Sequence, residues 1–327
     1  MKNNIKVALI QEPPVYLNLE LSVNKALQLI GEIVTEKPDL IVFPETWLPG
    51  YPVWLDYAPE AGIWGHEPSA VIYRLLTQNA IQKGDQFVQR LKDSAAEHEV
   101  TIIMGAHELQ GRSLYNSLIH ITKKGQSHIH RKLMPTYTER LIWAQGDGST
   151  LNVIEENGYR TGGLICWEHW MPLARAAMHS KNEHIHIAQW PMVKELHQLA
   201  CRNYAFEGQC YVIAAGCVLS KQDMLDGIHT VIANEEDRIA VELIESIPVD
   251  NRELLLKGGS SVIKPDSGYL IEPQMNVKET VFAELDLNKT IEGNLYLDTT
   301  GHYSRPDIFQ LTVDENPKSD HDKESCS

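Results

Sequence analysis

The first 45 residues carry the pattern that most narrows the folds open to this chain. Residues 5–10 and 40–43 are short apolar runs with the length of buried strands. Between them, residues 21–36 place apolar side chains on one face of a helix. A strand, a helix and a strand in this order pair in parallel through a right-handed crossover. We therefore expect an α/β protein, with Glu45 just beyond the carboxyl end of the second strand, where such folds place reactive groups.

Strand and helix patterns continue to alternate along the chain without a break in composition. This continuity predicts a single domain over residues 5–312. The polar and charged residues 313–327 predict a disordered tail. Further helices are expected at residues 70–82, 85–98 and 193–207. Further strands are expected at residues 100–107, 113–122, 127–132, 160–165, 183–189, 210–217, 260–264, 269–271 and 280–286, with a linker-like stretch at 250–259. Hairpins among these strands make the sheets mixed rather than purely parallel.

Cys166 lies at a predicted turn from a strand into a helix. The apolar run 160–165 precedes it, and Pro172 suits the first turn of the following helix. A side chain in such a turn is pushed out above the sheet, as in the nucleophile elbow of serine hydrolases. A helix N-terminus favours a thiolate there. Cys166 is therefore either a nucleophile or a buried structural thiol.

Three further ionisable residues follow predicted buried strands: Glu45, Lys132 and Glu139. A buried charge is costly unless it is paired, so each of them could simply form a salt bridge at the end of a strand. Together with Cys166 they suggest chemistry instead. Glu45 could take the proton of the thiol as a general base, and Lys132 could stabilise charge that develops on a substrate.

Aromatic residues cluster in the sequence near Glu45, Lys132 and Cys166. They predict either core packing or an apolar pocket. The candidates for substrate contact are Tyr51, Trp143, Trp167 and Trp190. Two histidine pairs with strand spacing, at 128 and 130 and at 184 and 186, lack a third ligand, so no metal site is predicted.

Charge and cysteine usage limit the partners and the compartment. The formal net charge of −15 argues against nucleic acid and against anionic membranes as partners. No apolar run has the length of a membrane span, and Pro13 follows the first apolar run too soon for a signal peptide. Five cysteines without a CxxC pair suggest reduced thiols, so a cytoplasmic location is expected.

Three segments that carry Glu45, Lys132 and Cys166 resemble the signature segments of the nitrilase superfamily of carbon–nitrogen hydrolases. That family holds a Glu-Lys-Cys triad in this chain order. They are residues 43–45, 131–137 and 166–168. Further stretches are similar to the true nitrilase branch rather than to its amidase relatives: residues 136–140, 143–148, 166–169 and 301–307. Thr138 departs from the commonest version, which has histidine, and this puts the substrate preference in question.

The resemblance implies an α-β-β-α sandwich, with mixed sheets flanked by helices, that self-associates as a dimer or a longer spiral. It implies Glu45 as the base, Lys132 as the group that steadies the tetrahedral centre, Cys166 as the nucleophile and Glu139 as a positioning residue. The backbone N–H of Trp167 becomes a candidate oxyanion donor. No metal or organic cofactor is implied.

The implied substrate is a small-molecule nitrile, which is hydrolysed to a carboxylic acid and ammonia. The aromatic residues favour aromatic or arylaliphatic nitriles. Two alternatives remain: an amidase or cyanide-processing hydrolase with the same site, and an inactive scaffold of the same fold.

Overall fold

The computed structural model describes residues 3–318, which form thirteen β-strands and nine α-helices. The strands are β1 Asn4–Gln11, β2 Leu40–Val42, β3 Thr101–Gln110, β4 Ser113–Ile121, β5 Ser127–Arg131, β6 Val153–Glu156, β7 Tyr159–Ile165, β8 Ile185–Gln189, β9 Tyr211–Ala215, β10 Val218–Ser220, β11 Leu254–Ile263, β12 Tyr269–Met275 and β13 Glu279–Asp286. The helices are α1 Leu19–Ile33, α2 Trp54–Tyr57, α3 Glu67–Gln78, α4 Gln86–Glu97, α5 Pro172–His179, α6 Glu195–Gly208, α7 Lys221–Ile228, α8 Arg238–Glu245 and α9 Asn288–Gly293.

The first sheet has the strand order β13-β1-β2-β3-β4-β5. β1, β2 and β3 are parallel, with Leu40 opposite both Val7 and Thr101, as the β-α-β pattern predicts. β13, β4 and β5 add antiparallel edges. Asp85 accepts a hydrogen bond from the backbone N–H of Val88 and so caps α4, as its side chain favours.

The second sheet has the order β10-β11-β9-β8-β7-β6, with β12 paired to β11. β7, β8 and β9 are parallel and are connected through α5 and α6. β6, β10, β11 and β12 join antiparallel. Each sheet therefore has three parallel strands at its centre, which is the mixed arrangement expected from the sequence.

The two sheets pack face to face between two layers of helices. Val7 and Leu9 of the first sheet share a core with Leu164 and Ile187 of the second, and side chains of α5 and α6 join this core from the far side. A second core lies between the other face of the first sheet and α1, α3, α4, α7 and α8. The α-β-β-α sandwich predicted above is confirmed.

The prediction of a linker at residues 250–259 is wrong. β11 begins at Leu254, and Leu255 and Leu256 are 1% and 3% exposed. Gly258 and Gly259 adopt positive φ angles of 73° and 86° within the strand, where its register shifts. These glycines and the charged residues before them suggested a loop, but they belong to a bulged strand of the second sheet.

The first residues after residue 312 contact the sandwich. Val313 packs against the core between the sheets, and the backbone N–H of Lys318 donates to Asp147 Oδ2 at 2.7 Å. Residues 319–327, the rest of the predicted tail, lie outside the described residues. Within residues 3–318, none of the helices combines the length and the hydropathy that a membrane crossing needs.

Candidate active site

Cys166 stands on a tight elbow at the end of β7. It has a φ angle of 55° and begins a 3-10 turn, Cys166–Trp170, which leads into α5. A left-handed conformation is uncommon for a residue with a side chain and clusters at functional sites. The side chain is only 3% exposed. The strand-to-helix turn expected from the sequence is therefore present, and its nucleophile candidate points into the protein.

Glu45 lies three residues beyond β2 and is 1% exposed. Its loop crosses closely over β3, where a Cβ added at Gly105 would lie 2.1 Å from the carbonyl oxygen of Pro44 and 2.5 Å from the nitrogen of Thr46. Only glycine allows this approach, because any side chain would collide with the backbone that carries Glu45.

Lys132 follows β5 directly, and its buried ammonium joins the two glutamates. Its Nζ lies 3.1 Å from Glu45 Oε1 and 2.7 Å from Glu139 Oε2. A carboxylate oxygen of each glutamate and the sulfur of Cys166 all lie within 4.8 Å of one another. The structure thus brings together Glu45, Lys132, Glu139 and Cys166. Glu45, Lys132 and Cys166 lie just beyond strands of both sheets, and Glu139 lies in the 3-10 turn Tyr137–Leu141.

One oxygen of the Glu45 carboxylate is left without a hydrogen-bond donor within the described chain. Its Oε1 accepts hydrogen bonds from Asn116 Nδ2 at 2.6 Å and from Lys132. Its Oε2 is buried and has no hydrogen-bond donor among residues 3–318. A buried acceptor without a donor is costly unless a transient partner uses it. Asn116, which the sequence reasoning missed, fixes the orientation of this carboxylate.

Burial and neighbouring charges set the protonation of the site. Burial raises the pKa of Glu45 to about 7, although Lys132 opposes the rise. Burial and the charge of Glu45 raise the pKa of Cys166 well above its ordinary value. For Lys132, burial favours the neutral amine, but the neighbouring acidic groups of Cys166, Glu45 and Glu139 outweigh burial and raise the pKa of Lys132. The expected thiolate at a helix N-terminus is thus reversed: Cys166 rests as a thiol, with a carboxylate beside it that can accept its proton.

Glu168 connects the elbow to the segment that carries Lys132. Its carboxylate accepts the backbone N–H of Ile165 at 2.6 Å and that of Leu133 at 2.7 Å, and it contacts His130 Nε2 at 3.0 Å. Burial alone would raise the pKa of Glu168, but His130 and the two N–H donors lower it. In the sequence, Glu168 stood out only as the last residue of the segment 166–168. Its position two residues after Cys166 was the available signal.

The four predicted substrate-binding residues lie in three different environments. Tyr51 donates its hydroxyl to Glu139 Oε1 at 2.9 Å, and the ring of Trp143 packs edge-on against Tyr51, 5.7 Å from Lys132 Nζ. Trp167 follows the nucleophile candidate and is 40% exposed. Trp190 is fully buried in a ring stack next to His197, at 4.2 Å. Tyr51 and Trp143 therefore contact the ionisable cluster directly, whereas Trp190 packs in the core.

The cluster resembles a metal site in its donor set but already contains a cation. Glu45, Glu139 and Cys166 offer two oxygens and a sulfur at ligand spacing. The ammonium of Lys132 hydrogen-bonds both carboxylates and supplies the positive charge that a metal would bring.

A cleft of about 800 Å³ lies elsewhere on the molecule, lined by residues of the α5–α6 region and of the chain near residues 290–311. None of the four clustered residues belongs to its wall. The volume of this cleft therefore says nothing about the size of a substrate at Cys166.

Comparisons with known proteins find relatives over most of the chain. The sequence profile of the carbon-nitrogen hydrolase family matches residues 6–293. The chain is 33% identical to an aliphatic nitrilase of Rhodococcus rhodochrous, covering 95% of this chain and 79% of that one. It is 32% identical to nitrilase 2 of Arabidopsis thaliana, covering 96% and 90%, and 32% identical to an arylacetonitrilase of Aspergillus niger, covering 97% and 92%.

Solved structures share the fold at low sequence identity. A CN-hydrolase superfamily protein from Xanthomonas campestris superposes with a TM-score of 0.67 at 15% identity, covering 95% of this chain and 99% of that one. Nit3 of Saccharomyces cerevisiae, a member of the nitrilase superfamily, superposes with a TM-score of 0.66 at 17% identity, covering 93% and 97%.

Proposed function

The chain belongs to the nitrilase branch of the carbon–nitrogen hydrolase family, and from this premise we propose that Cys166 attacks an organic nitrile in a covalent route to the carboxylic acid and ammonia. One observation carries the proposal. The thiol on its left-handed elbow lies within 4.8 Å of carboxylate oxygens of Glu45 and Glu139, and a buried lysine joins these two glutamates. These residues supply a nucleophile, a base and a cation, which are close enough together to contact the same reacting group of a substrate.

In the first half of the reaction, the Cys166 sulfur bonds to the nitrile carbon. Glu45 accepts the thiol proton on its open Oε2 and passes it to the nitrile nitrogen, which gives a neutral thioimidate. Lys132 and the backbone N–H of Trp167 face the negative charge that develops on that nitrogen. They lower the barrier because both are already oriented, and Lys132 is also shielded from water.

In the second half, two waters complete the hydrolysis. The first adds to the thioimidate carbon, and expulsion of ammonia leaves a thioester on Cys166. The second attacks the thioester, releases the carboxylic acid and returns the proton to the sulfur. Glu45 serves each time as base, and Glu139, held by Lys132, Tyr51 and the N–H of Thr136, positions the water.

The nearest alternative is an amidase with the same residues, because hydrolysis of an amide by a cysteine also proceeds through a thioester. Release of ammonia, measured side by side from nitriles and from the matching amides, separates the two. We expect turnover of the nitriles at higher kcat/KM, with free acid as the main product. Turnover of amides alone would reassign the chain to amide hydrolysis, and the absence of both activities would favour an inactive scaffold.

We expect aromatic or arylaliphatic nitriles to react faster than small aliphatic ones. Tyr51 and Trp143 at the cluster and the half-exposed Trp167 beside the thiol offer flat apolar surface, and burying a ring there gains roughly 25 cal/mol per Å². The relatives include both aliphatic nitrilases and an arylacetonitrilase at similar identity. The measurement compares kcat/KM for phenylacetonitrile, benzonitrile and propionitrile. Equal values, or a preference for propionitrile, would mean that these rings serve packing alone.

We further propose that the chain self-associates through its outer helices, as a dimer or a longer spiral. Leu173 of α5 and Leu196, Leu199 and Phe206 of α6 are apolar side chains that are 46–70% exposed. Apolar residues grouped on one layer are typical of an interface. Light scattering at micromolar concentration should give at least twice the chain mass of 37.0 kDa, and Leu199→Glu should reduce it. The matched control is Leu21→Glu on α1. A wild-type monomer would refute the proposal.

The cytosol is the compartment that we propose for this enzyme. Cys166, Cys201, Cys210 and Cys217 are all free and buried in the part of the chain that the structure describes. A mechanism that depends on a reduced thiol is compatible with a reducing environment.

A further inference from the structure

A row of buried polar side chains runs from the elbow of Cys166 through the second sheet to α6. His169 Nδ1 lies 2.7 Å from the carbonyl oxygen of Cys166, and its Nε2 lies 3.0 Å from His186 Nε2. His186 Nδ1 lies 2.9 Å from Glu183 Oε1, and Tyr204 donates its hydroxyl to Glu183 Oε2 at 2.5 Å. All four side chains are at most 6% exposed.

The chemistry of the acceptors fixes where the protons lie along this row. A carbonyl oxygen can only accept, so His169 Nδ1 carries a hydrogen. Burial and the neighbouring His186 lower the pKa of His169 to about 3, so His169 is neutral and its Nε2 is an acceptor. His186 Nε2 must therefore donate. One further proton is then held between His186 Nδ1 and Glu183 Oε1, either on the carboxyl group or on the imidazole.

The carbonyl at the end of the row belongs to the peptide group that serves the nucleophile. The Cys166 carbonyl and the Trp167 N–H are two ends of one rigid peptide plane. The Trp167 N–H hydrogen-bonds the sulfur of Cys166 and opposes the rise in its pKa that burial causes. A donor on the carbonyl fixes the tilt of this plane and polarises its N–H, because hydrogen bonds in a chain strengthen one another.

Neighbouring residues leave room for this row of side chains and hold its rings in place. A Cβ added at Gly162 of β7 would lie 1.9 Å from Glu183 Oε1, so this strand position must be glycine for the carboxyl group to reach His186. The rings of His186 and Tyr204 stack at 3.7 Å, and His169 packs on Trp190 at 5.0 Å. These contacts fix the orientation of each ring, so the hydrogen-bond donors and acceptors of the row stay aligned.

We propose that His169, His186 and Glu183 are positioning residues, which aim the Trp167 N–H at the sulfur of Cys166 and at the charge that develops on the substrate. The assignment rests on the proposed role of Cys166 as nucleophile. It adds a set of residues outside the Glu45–Lys132–Cys166 cluster on which the rate of the chemical step depends. Their effect passes through a backbone peptide and requires no contact with the substrate.

Substitutions at Glu183 separate this role from simple packing. Glutamine has the shape of the protonated acid: its Nε2 can donate to His186 Nδ1, and its Oε1 can accept from Tyr204. We expect Glu183→Gln to retain kcat within about threefold. Glu183→Leu keeps a similar volume but removes the hydrogen bonds, and we expect kcat to fall by about 10- to 100-fold, less than the loss of a whole oxyanion donor, with KM nearly unchanged.

A second readout does not depend on nitrile turnover. The rate at which iodoacetamide alkylates Cys166 at a fixed pH reports how readily the thiol ionises. We expect Glu183→Leu to slow alkylation at the peptide that spans residues 161–175, and Glu183→Gln to leave it near the wild-type rate. The control is Glu156→Leu, which breaks the pair between Glu156 of β6 and His120 of β4 at 3.5 Å and should destabilise the fold without slowing alkylation.

The two readouts distinguish failure of the inference from failure of the proposed function. If wild type hydrolyses no nitrile, the function is wrong, and alkylation alone tests the row. If folded Glu183→Leu keeps wild-type kcat and alkylation, or if Glu183→Gln loses as much as Glu183→Leu, the inference is overturned. Should Glu183→Leu not fold, His169→Ala against His169→Asn makes the same comparison, since the asparagine amide can still donate to the Cys166 carbonyl. Equal losses in that pair would count against the proposal.

Discussion

Replacing Cys166 with alanine is expected to lower nitrile turnover by about 10⁴-fold or more while the fold persists. Cys166 is the only thiol of the cluster among the described residues, and the neighbouring carboxylates and ammonium are much weaker nucleophiles toward a nitrile than a thiolate. Cys166→Ser should be nearly as inactive. An alcohol is a much weaker acid than a thiol, and Glu45, with its pKa near 7, is too weak a base to ionise it.

The matched control is Cys217→Ala, because this buried thiol lies in the other hydrophobic core. Both alanine variants should unfold within a few degrees of wild type, whereas only Cys166→Ala should lose activity. Mass spectrometry of wild type during turnover of a slow nitrile should detect an adduct on the peptide of residues 161–175. An unmodified peptide under those conditions, or an active Cys166→Ala variant, would contradict covalent catalysis by this residue.

Local patterns of the sequence were sufficient to predict most of the framework. The β-α-β start, the hairpins and the turn at Cys166 each depend on residues close together in the chain. The helices α7 and α8 were not predicted, although Ser220 and Asp223 form a capping box at the start of α7. That signal was visible in the sequence and could have located the helix.

The grouping of Glu45, Lys132, Glu139 and Cys166 in one site was expected from the family resemblance and not from strand order, because β2 and β5 are not neighbours in the first sheet and β7 belongs to the second. The side chains that orient these four residues could not be anticipated. Asn116 reaches Glu45 across 71 positions of the sequence, and Glu168 contacts Leu133 across 35. The row from His169 to Glu183 depends on the pairing of β7 with β8. A single sequence contains no pattern that reports such long-range hydrogen bonds.

Lys132→Ala and Glu45→Gln are each expected to lower kcat/KM by about 10³-fold, equivalent to roughly 4 kcal/mol of transition-state stabilisation. Lys132 lies 3.1 Å from Glu45 and faces the developing charge, and Glu45 holds the acceptor for the thiol proton. Lys132→Ala also leaves two buried carboxylates without their cation, which should cost about 3–5 kcal/mol of folding stability. Glu45→Gln keeps the shape of the side chain and should change stability less.

The double variant tests whether these residues act as one unit. Once the base is removed, the lysine has little developing charge to stabilise, so the double variant should lose about as much activity as the worse single variant. The control is Lys6→Ala, which breaks an exposed pair with Glu36 at 3.0 Å; it should cost at most about 1 kcal/mol of stability and leave kcat/KM unchanged. Measured values of kcat/KM and of the free energy of unfolding for the four proteins complete the cycle. Additive losses, with the double variant falling by about 10⁶-fold, would mean that Glu45 and Lys132 contribute independently and that the cluster is not a coupled catalytic site.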